Sequence, residues 1–187
     1  MNGPADRHAT FELEALPHLA SMYRVALRLT GEPAAAEDLV QDAMLKAFRA
    51  WDRFRPGSNA RAWLLTILRN EFINGYRREK RGPVLVELDA APYAIYGAVA
   101  GNDPEGRFFD SIVDERVQQA LLDLPAEFRE VVVLSDVEGL SYAEISEVAG
   151  IPVGTVKSRL FRGRRLLQTA LYEHAVEMGY IKPRNRT

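Results

Sequence analysis

Between positions 148 and 172 the chain carries Lys157, Arg159, Arg162, Arg164 and Arg165 and no acidic residue. Cations at this density hold phosphates, and an arginine fork can read a base edge in the DNA major groove. At roughly 100° per residue, Ser158, Arg162 and Arg165 share one side of a helix, with Phe161 beside them. Val156, Leu160, Gly163 and Leu167 share the other side, and Lys157, Arg159 and Arg164 flank the cationic face. A charge run is commonly just a solvated helix face. Here the missing counter-acids and an outward aromatic, suited to a thymine methyl, favour DNA.

Two further groups stand upstream. Residues 69–78, RNEFINGYRR, mix amides, aromatics and arginines: Asn70, Phe72, Asn74, Tyr76, Arg77 and Arg78. Amides and Arg hydrogen-bond bases, and aromatics stack on unpaired ones. Phe72 reads as a core residue, while Tyr76 suits either role. Glu37, Asp38, Gln41 and Asp42 form an acidic-amide patch near the start of another helix. The helix dipole explains Glu37 and Asp38, but it fades before Gln41 and Asp42.

The elements that must position these residues are helical. Ser141 with Glu144 is an S-x-x-E capping box, which predicts a helix start. Tyr142, Ile145 and Val148 give that helix an apolar face, and Gly150, Pro152 and Gly154 mark a turn. Thr155 is expected to cap the following helix. Upstream, residues 11–29 show a helical pattern with Leu13, Leu16, Leu19, Met22, Tyr23, Ala26 and Leu29 as expected buried positions. Pro17 should break it early, and Gly31 and Pro33 should separate it from a helix over 34–51. That helix has Leu39, Ala43, Ala47 and Trp51 as its seam. Residues 52–60 read as a loop, with Asn59 or Ser58 capping a helix over 60–78 that turns Trp63, Leu64, Ile67 and Leu68 inward. Further helices are expected over 111–124 and 128–137, and the last one runs to about Met178.

The fold class expected is all-α: two small helical domains, 10–81 and 111–178, joined by a flexible acidic linker, 82–110. Residues 1–9 read as a disordered tail and 179–187 as a flexible end. A 29-residue coil spans roughly 30 Å, and about 100 Å when stretched. The chain has 187 residues and a net charge of −2, but the charge is segregated. Residues 49–81 carry nine basic residues against three acids; residues 82–115 carry one Arg against seven acids. Residues 116–147 hold two Arg against seven acids before the basic helix begins. Two basic blocks separated by acidic sequence suggest two separate contacts with a polyanion.

The absence of cysteine excludes disulfides, thiolate metal sites and a thiol nucleophile in this chain. It fits a cytoplasmic location, as does the lack of any apolar run near the ~20 residues that span a bilayer. His8, His18 and His174 are scattered, and no H-E-x-x-H, phosphate loop or nucleophile elbow is present. No catalytic residue, metal or cofactor is expected, and the chain does not read as an enzyme.

These residues together resemble a bacterial extracytoplasmic-function (ECF) sigma factor of the sigma-70 family. The matching motifs are AEDLVQDAMLKAF (36–48), FRPGSNARAWLLTILRNEFINGYRREKR (54–81), LPAEFREVVVLSDVEGLSYAEI (124–145) and IPVGTVKSRLFRGRRLL (151–167), in the family's order. The resemblance implies binding to core RNA polymerase, through the clamp helices and flap of its large subunits, and direction of that enzyme to promoter DNA. It implies a −10 surface at Ser58, Asn59, Arg61, Asn70, Asn74, Tyr76, Arg77 and Arg78, with a flipped base held by the loop 55–60. It implies a −35 surface at Thr155, Lys157, Ser158, Phe161, Arg162 and Arg165, and a polymerase-docking face at Asp38, Gln41 and Asp42. An anti-sigma factor is the further partner implied, and FRPGSNARAW, INGYR and LYEHAVEMGY resemble the branch paired with zinc-binding, redox-responsive ones. A stand-alone helix-turn-helix regulator with a helical sensor domain is the competing reading.

Overall fold

The computed structural model describes residues 4–81 and 115–182, with side chains over 7–75 and 115–182. The segment read as a linker lies outside the described residues. Helices α1 (Pro4–Ala15), α2 (Leu19–Thr30), α3 (Pro33–Arg49) and α4 (Ala60–Arg81) form the front half. The rear half holds α5 (Glu115–Leu122), α6 (Ala126–Val132), α7 (Tyr142–Ala149), α8 (Val153–Ala170) and α9 (Tyr172–Glu177). No strand occurs among the described residues.

Pro17 does break the first helical stretch, into α1, a 3-10 turn at Leu16–His18, and α2. Helix α1 begins at Pro4, so residues 4–9 are helical and not a loose tail. Arg7 holds that start: its guanidinium donates to the Phe48 carbonyl at 2.7 Å and pairs with Asp52 at 3.5 Å. Leu13 and Leu16, expected inside, are 75% and 37% exposed; Phe11 and Ala15 point inward in their place. The 3-10 turn resets the helical phase at Pro17, so one period cannot run through both segments.

Trp51 opens a 3-10 turn just past α3 and stacks on Phe54 with ring centroids 4.5 Å apart, while Phe11 and Trp63 meet it edge-on. Its indole N–H donates to Thr10 Oγ1 at 3.2 Å. This aromatic knot anchors the loop that carries Ser58 and Asn59. Met22, Met44, Leu64, Leu65 and Leu68 fill the front core, and Val131, Val132, Ile145, Val148 and Leu160 fill the rear one. The two cores are continuous.

Continuity comes from a seam in which α2 and α4 pack against α5, the turn after α6, and α7. Gly31 ends α2 at φ +80°, and a Cβ there would stand 2.6 Å from a Leu122 methyl carbon. After α6 the chain widens into a π turn, Val133–Val137, with the Glu138 N–H reaching the Val133 carbonyl at 3.2 Å. Such turns insert an extra residue and re-aim the segment beyond them. Here the widened turn keeps Val133 and Leu134 buried and carries the Glu138 side chain into the seam.

Candidate nucleic-acid interface

Helix α7 starts as its capping box requires. Ser141 Oγ accepts from the Glu144 N–H at 3.3 Å, and Glu144 Oε2 accepts from the Ser141 N–H at 2.8 Å. The Ser141 N–H foremost, and the Ser141 hydroxyl, which donates to the same oxygen at 2.7 Å, hold the Glu144 carboxyl below the usual carboxylate range. Gly150 closes the helix at φ +64°, a left-handed value that glycine adopts at little cost. Helix α8 then starts at Val153 with Pro152 as its N-cap and no side-chain cap. The expected cap at Thr155 does not form, because Thr155 already sits inside the first turn, its N–H donating to the Pro152 carbonyl at 2.8 Å.

Val156, Leu160 and Gly163 are buried on α8, and Lys157, Ser158, Phe161, Arg162 and Arg165 are exposed. Gly163 is needed for contact: a Cβ there would come within 2.8 Å of Val132 Cγ2 on α6. Phe161 is 67% exposed beside an open groove of ≈ 680 Å³ that Tyr142, Lys157 and Arg165 help to line. The two other flanking arginines are not spare charges. Arg159 pairs with Glu127 at 3.3 Å. Arg164 pairs with both oxygens of Asp136, at 2.5 and 3.1 Å, which pushes its guanidinium pKa up further. The counter-acids missing from α8 are therefore supplied by α6 and the π turn. Lys157, Arg162 and Arg165 make no ion pair among the described residues.

On the front half, Asn59 caps α4, its Oδ1 accepting from the Ala62 N–H at 3.0 Å. Ser58 instead donates to the Arg55 carbonyl at 2.6 Å and shapes the loop. Asn70 and Asn74 are exposed one turn apart. The backbone of α4 continues through Tyr76, Arg77 and Arg78, whose side chains lie outside the described residues. Asp38 and Asp42 are exposed and Gln41 half-buried on α3, away from buried Val40, Ala43 and Ala47. Lys46 ties α3 to α4 through Glu71 at 2.6 Å.

Residues 16–82 match the family described as Sigma-70 region 2, and residues 114–167 match Sigma-70, region 4. The chain is 38% identical to the ECF RNA polymerase sigma factor SigE of Mycolicibacterium smegmatis, over 94% of this chain and 70% of that protein. This chain is a member of the ECF RNA polymerase sigma factors. The sigma factor is also 32% identical to SigW of Bacillus subtilis, over 80% of this chain and 82% of that one. Among solved structures, the sigma factor RpoE of Bartonella quintana, crystallised with the anti-sigma factor NepR, matches at TM-score 0.62 and 35% identity. That match covers 88% of this chain and 96% of the other. CnrH, solved with the cytosolic domain of CnrY, shares the fold at TM-score 0.61 and 24% identity, with 92% and 91% covered.

In this sigma factor the structure separates residues that the sequence analysis grouped together. Asn70 and Asn74 face outward, whereas Asn59 and Arg61 are engaged by the rear half. The Asn59 amide donates to Glu144 Oε1 at 2.9 Å. Arg61 donates to Ser21 Oγ at 3.1 Å and to Glu138, at its carbonyl and at Oε2, the latter 2.6 Å away. Glu138, Glu130 and Arg24 were not singled out from the sequence, and Arg69 entered only as the first residue of the stretch 69–78. These pairings join positions 61 to 114 residues apart, and no local spacing announces them.

Proposed function

We propose that this sigma factor reads the −35 element with the exposed face of α8 and the −10 element with α4 and the loop before it, while the face of α3 docks on core RNA polymerase. The observation that carries the reading is the two-sidedness of α8. Val156 and Leu160 are wholly buried, while Phe161, Lys157, Ser158, Arg162 and Arg165 stand uncovered on the opposite side. Thr155 and Arg165 hold phosphates, and Lys157, Ser158, Phe161 and Arg162 face bases.

On the front half, Asn70, Asn74, Tyr76, Arg77 and Arg78 follow the −10 strand, and Ser58, Asn59 and Arg61 receive a base drawn out of the stack. Extrusion costs a few kcal/mol, which hydrogen bonds from the loop must recover. Asp38, Gln41 and Asp42 meet the clamp helices of the polymerase, and the rear half meets its flap. The two working units are 10–81 and 111–178, with the acidic stretch 82–110 between them. An anti-sigma factor is a further partner; the matched sigma factors RpoE and CnrH were each solved with NepR or CnrY bound. The chain acts in the cytoplasm, as a DNA-binding regulator and not as an enzyme.

Run-off transcription with purified core polymerase tests the reading. A promoter-dependent transcript that needs this chain is expected. No such transcript, together with tight DNA binding by the chain alone, would favour a stand-alone regulator.

A further inference from the structure

The loop assigned to the extruded base has little of its own to hold it in shape. Residues 55–59 are all exposed. Within the loop, the Arg55 carbonyl accepts from the Ser58 N–H at 3.0 Å and from the Ser58 hydroxyl at 2.6 Å. Residues of this kind stand where the ends of the loop put them, and a working site must be held to within about 0.5 Å. One end is Asn59 at the cap of α4. The other is Phe54, which is buried and stacked on Trp51. Trp51 in turn is gripped by α1. The Thr10 hydroxyl accepts from the indole N–H at 3.2 Å and donates to the Arg7 carbonyl at 3.1 Å. Phe11 sets its ring edge-on to Trp51 at 5.0 Å and to Phe48 at 5.1 Å. Arg7 completes the grip. Its Nη2 donates to the last two carbonyls of α3, those of Phe48 at 2.7 Å and Arg49 at 3.2 Å. Its Nη1 stands 3.5 Å from Asp52, in the 3-10 turn that leads into the loop, and its guanidinium carbon lies 5.1 Å from the centre of the Phe48 ring. Carbonyls at a helix C-terminus lack partners within the helix and carry the negative end of its dipole, so a cation suits them. At spacings of three and four, Arg7, Thr10 and Phe11 share one face of α1. They lie upstream of residues 16–82, the span that matches Sigma-70 region 2. Aliphatic packing would fix only a distance, whereas directional hydrogen bonds from Arg7 and Thr10 fix register as well.

We propose that α1 is a positioning arm for the −10 loop: Arg7, Thr10 and Phe11 set the stance of residues 55–59 and thereby the hold on the extruded base. This rests on the assignment of Ser58 and Asn59 to that base. None of the three arm residues is a DNA contact in this scheme. Thr10 and Phe11 act through Trp51, and Arg7 acts through the end of α3 and Asp52.

The test uses the full chain bound to core polymerase, on a promoter from which it initiates in run-off transcription. The probe is a forked fragment of that promoter with the −10 strand unpaired, either intact or with single abasic sites placed along the strand. In the unaltered holoenzyme one abasic position should cost about tenfold in affinity, the loss of one captured base, and Asn59→Ala should erase that cost. Thr10→Val keeps the branched shape and removes the hydroxyl. It should shrink the penalty at that position to about threefold or less, while penalties elsewhere and affinity for core polymerase stay within about twofold. Arg7→Ala should do the same. Thr10→Ser, which keeps the hydroxyl, should retain the full penalty. A merely structural part for α1 would instead weaken binding to intact and abasic strands alike. Either Thr10→Val or Arg7→Ala decides the matter if circular dichroism shows that it keeps its helices. The arm is overturned if the penalty at the captured base is unchanged in the helical variant, if binding at every position weakens equally, or if Thr10→Ser loses the penalty as Thr10→Val does. The two failures are distinguishable. A position that answers to Asn59→Ala but not to α1 refutes the arm alone, whereas no position answering to Asn59→Ala sinks the base-holding assignment and the arm with it.

Discussion

Arg162 and Arg164 stand two positions apart on α8 and have opposite surroundings. Arg164 is clamped by Asp136 and Ser135, so its charge is spent inside the molecule. Arg162 is exposed and makes no ion pair among the described residues, so its fork is available to a base. Truncating a bidentate base contact costs ~1–3 kcal/mol, or roughly 5- to 150-fold. Arg162→Ala should therefore weaken use of cognate promoters by about that factor and leave affinity for core polymerase nearly unchanged. Asp42→Ala should do the reverse. Run-off transcription beside a core-binding titration checks both, and equal damage to both activities by either substitution would falsify the division between α8 and α3. Arg164→Ala should differ from Arg162→Ala in the same assay, since its first effect is to free Asp136 and loosen α8 from the π turn.

The individual helices were largely legible because their signals are local. Ser141 and Glu144 lie three residues apart, Gly150 needs only its own φ, and Pro17 acts on its own turn. Ser141→Ala removes the hydroxyl from the capping box and should cost about 1 kcal/mol of stability, read from the urea midpoint. It should also raise the Glu144 pKa, which NMR titration would show, because the Ser141 hydroxyl is one of the groups that lower it. Since that pKa is depressed on folding, its contribution is present above the ordinary value of 4.5 and is lost as pH falls through the folded value. Gly163 is a packing position. Gly163→Val would drive a side chain into Val132 Cγ2 and Phe128 Cβ, at 2.8 and 3.3 Å from the first added carbon. Overpacking of this kind costs roughly 1–3 kcal/mol, and the β-branched replacement gives little helix propensity in return. The denaturant midpoint should fall without a change in slope. Where the local signals misled, a neighbouring element was responsible: the 3-10 turn rephased α1 and exposed Leu13, and α6 with the π turn supplied the acids that α8 lacks.

At the scale of the whole molecule the sequence showed blocks of opposite charge along the chain but not which of them meet. Residues 49–81 are basic and residues 116–147 acidic, a complementarity that can be read at once as a shared seam. The expectation of two separate contacts with a polyanion left that possibility aside. No periodicity relates Arg61 to Glu138 across 77 residues, and only the π turn brings the carboxylate round. The seam also has a titratable neighbour. His18, in the 3-10 turn, has its pKa lowered from 6.5 by burial first and by the Arg61 charge on α4 second, with Glu14 on α1 opposing. Protonation is thus disfavoured in the packed form, and the unfolded chain binds more protons below pH 6.5. Stability therefore rises with pH through this window and is lost as pH falls from 6.5 toward the depressed value, because the new charge appears in a half-buried site and beside Arg61. The urea midpoint should decline over about pH 7 to 5, and His18→Gln should flatten that decline while leaving the fall near pH 4, where carboxylates protonate, in place. An unchanged slope in His18→Gln would mean that another group carries the acid sensitivity. A flattened one places the acid sensitivity of this window on the charge state of a single half-buried imidazole beside Arg61.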